Sequence, residues 1–295
     1  MRRVRGATAK AQENKVKTLL STGLALVAFA MNSVLCRLAL GQSAIDAASF
    51  STIRLGSGAV ALLLITLVFR QKVSSAPRGN WISATLLFLY AVAFSLAYIN
   101  LTAGTGALIL FGSVQATMIL AALFSGERPR LLEWLGLAIA LAGLIYLVFP
   151  GLKAPPLSSS ALMALAGMAW GFYSLRGRGA KDPLAATTGN FVRAVPLAFA
   201  VSLIMLNSLH VSAKGVLLAA LSGALASGVG YVIWYSALRG LTATRAATVQ
   251  LAVPLLAAVG GVFLLAEEVT LRLLLAAVMI LGGVGLALTS REKQG

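Results

Sequence analysis

The chain has 295 residues, 59% of them apolar and only 11% charged, with a mean hydropathy of +0.91. A soluble domain is about half apolar and about a quarter charged, so this composition excludes an ordinary water-soluble enzyme. A net charge of +16 would suggest nucleic acid in a polar chain, but here the basic residues punctuate long apolar runs, which is the pattern of membrane topology.

A membrane helix needs roughly 20 apolar residues to cross roughly 30 Å of hydrocarbon. Ten such stretches follow a basic tail at 1–17. The first runs from 18 to 40 and carries Asn32 and Cys36; the second, 46–69, carries Arg54 in its first half. One long apolar stretch then divides into 80–100, with Tyr90, Phe94 and Tyr98, and 104–125, with Gly112 and Gln115. Asn100–Gly106 supplies the predicted turn between them. A fifth span at 131–149 and a linker at 151–157 complete the first half. The remaining spans are predicted at 158–176 (Trp170), 184–206 (Arg193), 214–237 (Ser227, Tyr231, Trp234), 244–265 (Gln250, Pro254) and 271–289, before a short tail at 291–295.

With the N-terminus in the cytoplasm, 18 of the 24 basic residues fall on the inner side and four on the outer, while Arg54 and Arg193 lie within spans. The positive-inside rule then puts both termini in the cytoplasm. Basic residues before an apolar run also open a signal peptide. The first span is needed for the repeat that follows, so cleavage is not expected.

A shift of 139 or 140 residues superimposes the two halves. Arg37 falls on Arg176, Arg54 on Arg193, Glu127 on Glu267 and Gly143 on Gly283. The domains are therefore a five-helix repeat over 18–150, a periplasmic linker over 151–157 and a second repeat over 158–290. Five is odd, so the second copy lies inverted, and inverted repeats with a midplane site between them are transporter architecture. Spans 5 and 10 hold almost nothing polar at mid-depth and are expected to face lipid or pack through Gly136, Gly143, Gly282 and Gly283. The other eight spans should line any cavity.

The Arg at the head of spans 2 and 7, Pro254 within span 9, and the Gly-Glu or Ala-Glu after spans 4 and 9 resemble the drug/metabolite transporter superfamily, in its EamA-type branch. Trp170-Gly171-Phe172-Tyr173-Ser174-Leu175 with Gly177-Arg178-Gly179, and Gly112-Ser113-Val114-Gln115, are similar to the YddG-type exporters of aromatic amino acids. The resemblance implies ten transmembrane helices and export of amino acids, aromatic and other neutral ones. Another small metabolite or a drug is the alternative cargo on the same scaffold. Two departures, Met31-Asn32 opposite Trp170-Gly171 and Val114 opposite Pro254, speak against a strictly symmetric site.

All eight acidic residues fall at span ends, in loops or in tails. Proton-coupled carriers hold a carboxylate or histidine within the membrane, so facilitative transport without proton coupling is expected. One histidine, His210, and one cysteine offer no metal set, no P-loop occurs, and no catalytic pair lies within a span. No cofactor, no metal and no enzymatic activity are expected, and the partners are a small-molecule substrate and the bilayer, with no nucleic acid. A monomer is compatible with these features.

A zwitterionic substrate needs donors, acceptors and room for its side chain. Gln115 and Gln250 offer amides. Pro254 removes the helical partner of the Gln250 carbonyl and should kink span 9, with Gly112 a softer point in span 4. Aromatic groups for stacking and cation–π contact come from Tyr90, Trp170, Tyr231 and Trp234, and Asn32 and Ser227 add polar contacts. Phe94 and Tyr98 of span 3 join Tyr90 as aromatic candidates, with an interfacial belt position the other reading of Tyr98, and Cys36 is read as packing. Arg54 and Arg193 are long enough to snorkel to the interface; contact with a substrate carboxylate is the other reading for Arg54. Glu127 and Glu267 are read as gate or helix-end partners.

Overall fold

A computed structural model of the protein describes residues 2–68, 79–101, 103–149, 155–265 and 269–289. Among them the chain crosses ten times. The first repeat comprises α1 (Arg2–Leu40), α2 (Ala47–Val68), α3 (Trp81–Ala97), α4 (Ala103–Phe124) and α5 (Leu131–Val148). The second comprises α6 (Leu157–Gly177), α7 (Pro183–Ile204), α8 (Ala213–Leu238), α9 in two pieces (Ala243–Val249 and Ala252–Leu265) and α10 (Leu271–Thr289). This is an all-α polytopic membrane protein. Eight crossings are long and apolar enough to span a bilayer on those grounds alone. The other two, α3 and α6, pack on each other and shelter against α7 and α4, so they present less surface to lipid.

Two boundaries differ from expectation. α1 begins at Arg2 and not near residue 18, because the basic tail is rich in Ala, Lys and Arg, all good helix formers. The turn between α3 and α4 is tighter than Asn100–Gly106: Gly106 is already helical, and a Cβ there would meet the Tyr98 ring at 2.7 Å.

α1 lies against α8 and the second piece of α9, α2 against α7 and the middle of α8, and α6 against α3 and α4. α5 and α10 form a pair of their own, with Leu132, Leu135, Leu274 and Val278 exposed toward lipid. Their backbones touch, since a Cβ at Gly283 would stand 2.5 Å from the Gly136 carbonyl oxygen. Van der Waals contact between small residues is what associates helices in lipid, where no hydrophobic drive acts. Gly143 packs on Met279 and Ile280, but Gly282 faces open space and takes no part in the seam.

The two ends of the bundle are held differently. At the end carrying Arg37, Lys214 and Arg272, the α1–α2 loop is clasped to the α7–α8 loop by an Ile45–Val211 bridge, by Asp46 N–H donating to the His210 carbonyl (2.8 Å) and by Ser212 N–H donating to the Ala44 carbonyl (3.0 Å). Asp46 also caps α2, accepting from Ser49 N–H at 2.8 Å, and accepts from His210 N–H at 3.2 Å. Burial pushes its carboxyl up, but these donors outweigh burial and hold it below the usual carboxylate range.

At the opposite end the repeats are joined by carboxylates on helix termini. Glu127, in the turn after α4, accepts from the backbone N–H groups of Ala243 and Thr244, both at 3.0 Å, and so caps the N-terminus of α9. Glu133 caps its own helix through Arg130 N–H (2.9 Å) and receives Arg245 Nε at 2.8 Å from the first piece of α9. Glu127 is thus a helix-end partner, one of its two expected readings. Glu267, its repeat counterpart, lies outside the described residues. Burial raises the Glu127 carboxyl, but the Thr244 and Ala243 amides outweigh it and hold the group below its ordinary range. A depressed folded-state pKa means that its stabilisation is complete above about pH 4.3, the unfolded value, and is lost as pH falls through the lower folded value. Glu127→Gln should lower the melting midpoint by a few degrees at pH 7. In a detergent melting series the gap to the parent protein should close below about pH 4.

Candidate functional site: a one-sided cavity above an aromatic floor

A cavity of about 690 Å³ lies between the two repeats. Its mouth is at the ends of α1, α3, α5 and α10, marked by Gln42, Leu101, Val148 and Arg272, on the same face as the Asp46 clasp. It descends past Tyr98, Phe111 and Ala257 to Ser33, Cys36, Phe94, Val253 and Pro254. Its described walls carry the cations Arg37 and Arg272 and no carboxylate. Two expectations change here, for α5, α10 and Cys36. α5 and α10 contribute to the mouth and do not only face lipid. Tyr98 lines the wall with its ring edge-on to Phe94 at 4.7 Å, which favours the cavity reading over the belt. Cys36 is on the cavity floor, though buried.

None of the eight residues expected to bind substrate lines this space. They lie together just beneath it, each at most 7% exposed. Phe29 of α1 is the hub of the layer, edge-on to Trp170 (5.2 Å), Trp234 (5.5 Å) and Tyr231 (5.7 Å). Trp170 in turn meets Tyr90 at 4.9 Å and Tyr231 at 4.8 Å. Tyr90 touches Phe94 at 5.6 Å, and Phe94 is a cavity wall. The polar members are satisfied by one another: Trp234 Nε1 donates to Ser174 Oγ (3.0 Å), and Asn32 Oδ1 accepts from Ser222 Oγ (2.6 Å) and lies 3.5 Å from Ser227 Oγ.

At the centre is Arg54, 1% exposed. Its Nε donates to Ser227 Oγ at 2.9 Å, and Nη2 donates to Tyr231 Oη at 2.7 Å and lies 3.4 Å from Tyr90 Oη. The guanidinium also stands 5.3 Å from the centroid of the Tyr90 ring. Nη1 has no partner. Arg54 therefore does not snorkel: α8 packs over it so closely that a Cβ at Gly223 would strike the Arg54 carbonyl. Its repeat counterpart Arg193 is half-buried on α7, donates Nη1 to the Gly189 carbonyl at 2.8 Å and stands 5.9 Å over Trp81.

Two departures from regular helix build this layer. The middle of α8, Ser222–Val229, is π-helical. Its hydrogen bonds run to the fifth residue, which brings Ser222 and Ser227 to one face and both to Asn32. No sequence signal marked it, and Ser222 was missed for that reason. The second departure is the break in α9 at Gln250–Leu251, just before Pro254. Pro254 has no N–H for the Gln250 carbonyl, but that carbonyl is not left open as expected. It accepts from Val253 N–H at 3.0 Å in a tighter turn.

Two more tightened turns cross the break, Gln250 N–H donating to the Ala247 carbonyl and Leu251 N–H to the Thr248 carbonyl, both at 3.1 Å, and side chains add to them. Gln115 Nε2 of α4 donates to the Ala247 carbonyl at 2.8 Å, and Gln250 Nε2 donates to the Ala246 carbonyl at 2.9 Å. Gln250 Oε1 accepts from Trp170 Nε1 at 2.6 Å. The two glutamines thus mend the helix break, and Gln115 Oε1 is left buried without a partner. α4 stays continuous through Gly112, where nothing crowds the backbone.

A model of the EamA-like transporter family matches residues 17–149 and again residues 157–289. Uncharacterized protein PA1977 of Pseudomonas aeruginosa is 52% identical over 275 residues, covering 93% of this chain and 96% of its own. One solved crystal structure shares the fold, with a TM-score of 0.75 at 17% identity over 91% of this chain and 99% of that one. With two family repeats in tandem, the chain belongs to the EamA-like transporter family and is a membrane transporter, not an enzyme.

Proposed function

We propose that the protein exports neutral amino acids, aromatic ones among them, across the bacterial inner membrane by alternating access without proton coupling. The observation that carries this reading is the cavity: about 690 Å³, open at one end, free of carboxylates on its described walls and floored by an aromatic layer. That volume lies within the range of about 300–1,000 Å³ typical of small-molecule sites. The YddG-like motif around Trp170 supplies the floor, and the one around Gln115 supplies the mend of α9. The mouth faces the side with few basic residues, which under the positive-inside rule is the periplasm. The conformation described is then outward-open, and the Glu127 and Glu133 contacts close the cytoplasmic side. Of the described carboxylates, Asp46, Glu127, Glu133 and Asp182 sit at helix ends bonded to backbone amides, and Glu13 is exposed near the start of α1, which supports transport without a mid-membrane proton carrier.

Counterflow in proteoliposomes should show phenylalanine exchange with no pH step across the membrane. Flux that requires a pH step and vanishes with an uncoupler would remove the facilitative reading. Exchange of tetraphenylphosphonium but not of phenylalanine or threonine would favour a drug as cargo.

The break in α9 is the natural pivot, because it faces the cavity through Pro254 and Val253 while α4 is unbroken. Proline costs a helix interior about 3 kcal/mol relative to alanine, and about 1.4 kcal/mol is a factor of ten in an equilibrium. Pro254→Ala should restore a regular hydrogen bond to the Gln250 carbonyl and shift the access equilibrium by about tenfold or more. Thiol labelling of an Ala257→Cys variant in a Cys36→Ala background measures it. Equal labelling with and without Pro254 would mean that the proline is a static bend.

A further inference from the structure

Arg54 is the one fully buried cation among the described residues, and nothing negative accompanies it. A guanidinium keeps its proton in any protein environment, so it cannot escape burial by neutralising, as a lysine can. Buried charges are ordinarily paired, and an unpaired one is among the costliest features a membrane protein can carry. Here three hydroxyls and one ring face share the charge, all neutral, and Nη1 is left with no acceptor. Repeat symmetry does not demand this arrangement, because Arg193 sits half-buried against Trp81 and a backbone carbonyl. The cavity is close. The guanidinium stands 5.3 Å from the Tyr90 ring centroid, Tyr90 meets Phe94 at 5.6 Å, and Phe94 is a cavity wall.

We propose that Arg54 is the carboxylate subsite of the transport path. The cargo's carboxylate, entering past Phe94 as the Tyr90 ring gives way, takes the free Nη1 together with Nη2 in a planar two-bonded pair, and Tyr231 and Ser227 hold the fork in place. Arginine presents two parallel donors that match a carboxylate, which neither a lysine nor a hydroxyl can do. The cargo itself then supplies the missing negative charge, so a carboxylate-bearing molecule is bound and an amine of the same shape is not. The inference rests on reading the cavity as the transport path, but it does not require the cargo to be an amino acid.

Thermal-shift and tryptophan-fluorescence titrations of the detergent-solubilised protein test it with five probes: phenylalanine, threonine, 3-phenylpropionate, lactate and phenethylamine. Phenylalanine and 3-phenylpropionate should bind, while phenethylamine, which lacks the carboxylate, should not. Arg54→Met replaces an unpaired charge by an apolar chain and should leave the melting midpoint unchanged or higher. It should weaken binding of the acids by about tenfold to a hundredfold, the worth of hydrogen bonds to a charged group. Arg54→Lys, which keeps the charge without the fork, should fall between. If the two amino acids are silent but 3-phenylpropionate or lactate binds in an Arg54-dependent way, the subsite stands and the amino acid reading falls. Phenethylamine binding the unaltered protein as tightly as phenylalanine overturns the proposal. So does acid binding that survives Arg54→Met or Arg54→Lys within twofold, or the failure of all four carboxylates to bind.

Discussion

Inside a bilayer no water is available to a broken helix, so every backbone group freed by an irregularity must be satisfied by the protein itself. Most of the interior follows from that constraint. Pro254 interrupts α9, and the interruption has to be answered by a shorter turn to Val253 and by amides from Gln115 and Gln250. Gln250 then has one oxygen left, which fixes the Trp170 indole. Trp170 in turn sets the places of Phe29, Tyr90 and Tyr231 around it. A single missing N–H thus organises α4, α6 and α9 into one layer.

The π-helical stretch of α8 works toward the same layer from the other side. It turns two serines five residues apart toward Asn32 and brings the Gly223 backbone onto α2, where Arg54 is held. These two irregularities lie in the second repeat only. The first repeat has an unbroken α4, and it brings the Arg54 charge together with Phe29, Asn32, Tyr90 and Gln115. The second repeat supplies the irregular backbone that packs over the charge.

The ends of the bundle show a different use of the same chemistry. Carboxylates that would be costly at mid-depth are placed on helix N-termini, where exposed amides and the helix dipole favour negative charge. Asp46 does this within the first repeat and reaches across to His210, while Glu127 caps a helix of the opposite repeat. Both ends are thereby tied through helix termini, by Glu127 and Glu133 to α9 at one and by Asp46 to the α7–α8 loop at the other.

The sequence by itself determined the membrane class, the ten crossings, the duplication and the position of the α9 break. Each depends on local composition or on chain covalency, as with the apolar runs and the lack of an N–H at Pro254. The polar and aromatic residues that it singled out at mid-span, Asn32, Tyr90, Gln115, Trp170, Ser227, Tyr231, Trp234 and Gln250, lie together in the fold, though none lines the cavity. What only the tertiary structure decided is how that set is used and what it surrounds. Depth along a helix is legible from spacing, but the direction a side chain faces depends on which neighbour packs over it. Arg54 has the length to reach the interface and does not, because α8 closes on it. Tyr98 has the position of a belt residue and turns inward onto Phe94. Gln115 and Gln250 have free amides in the sequence, but in the fold their Nε2 groups go to the Ala247 and Ala246 carbonyls of the broken helix.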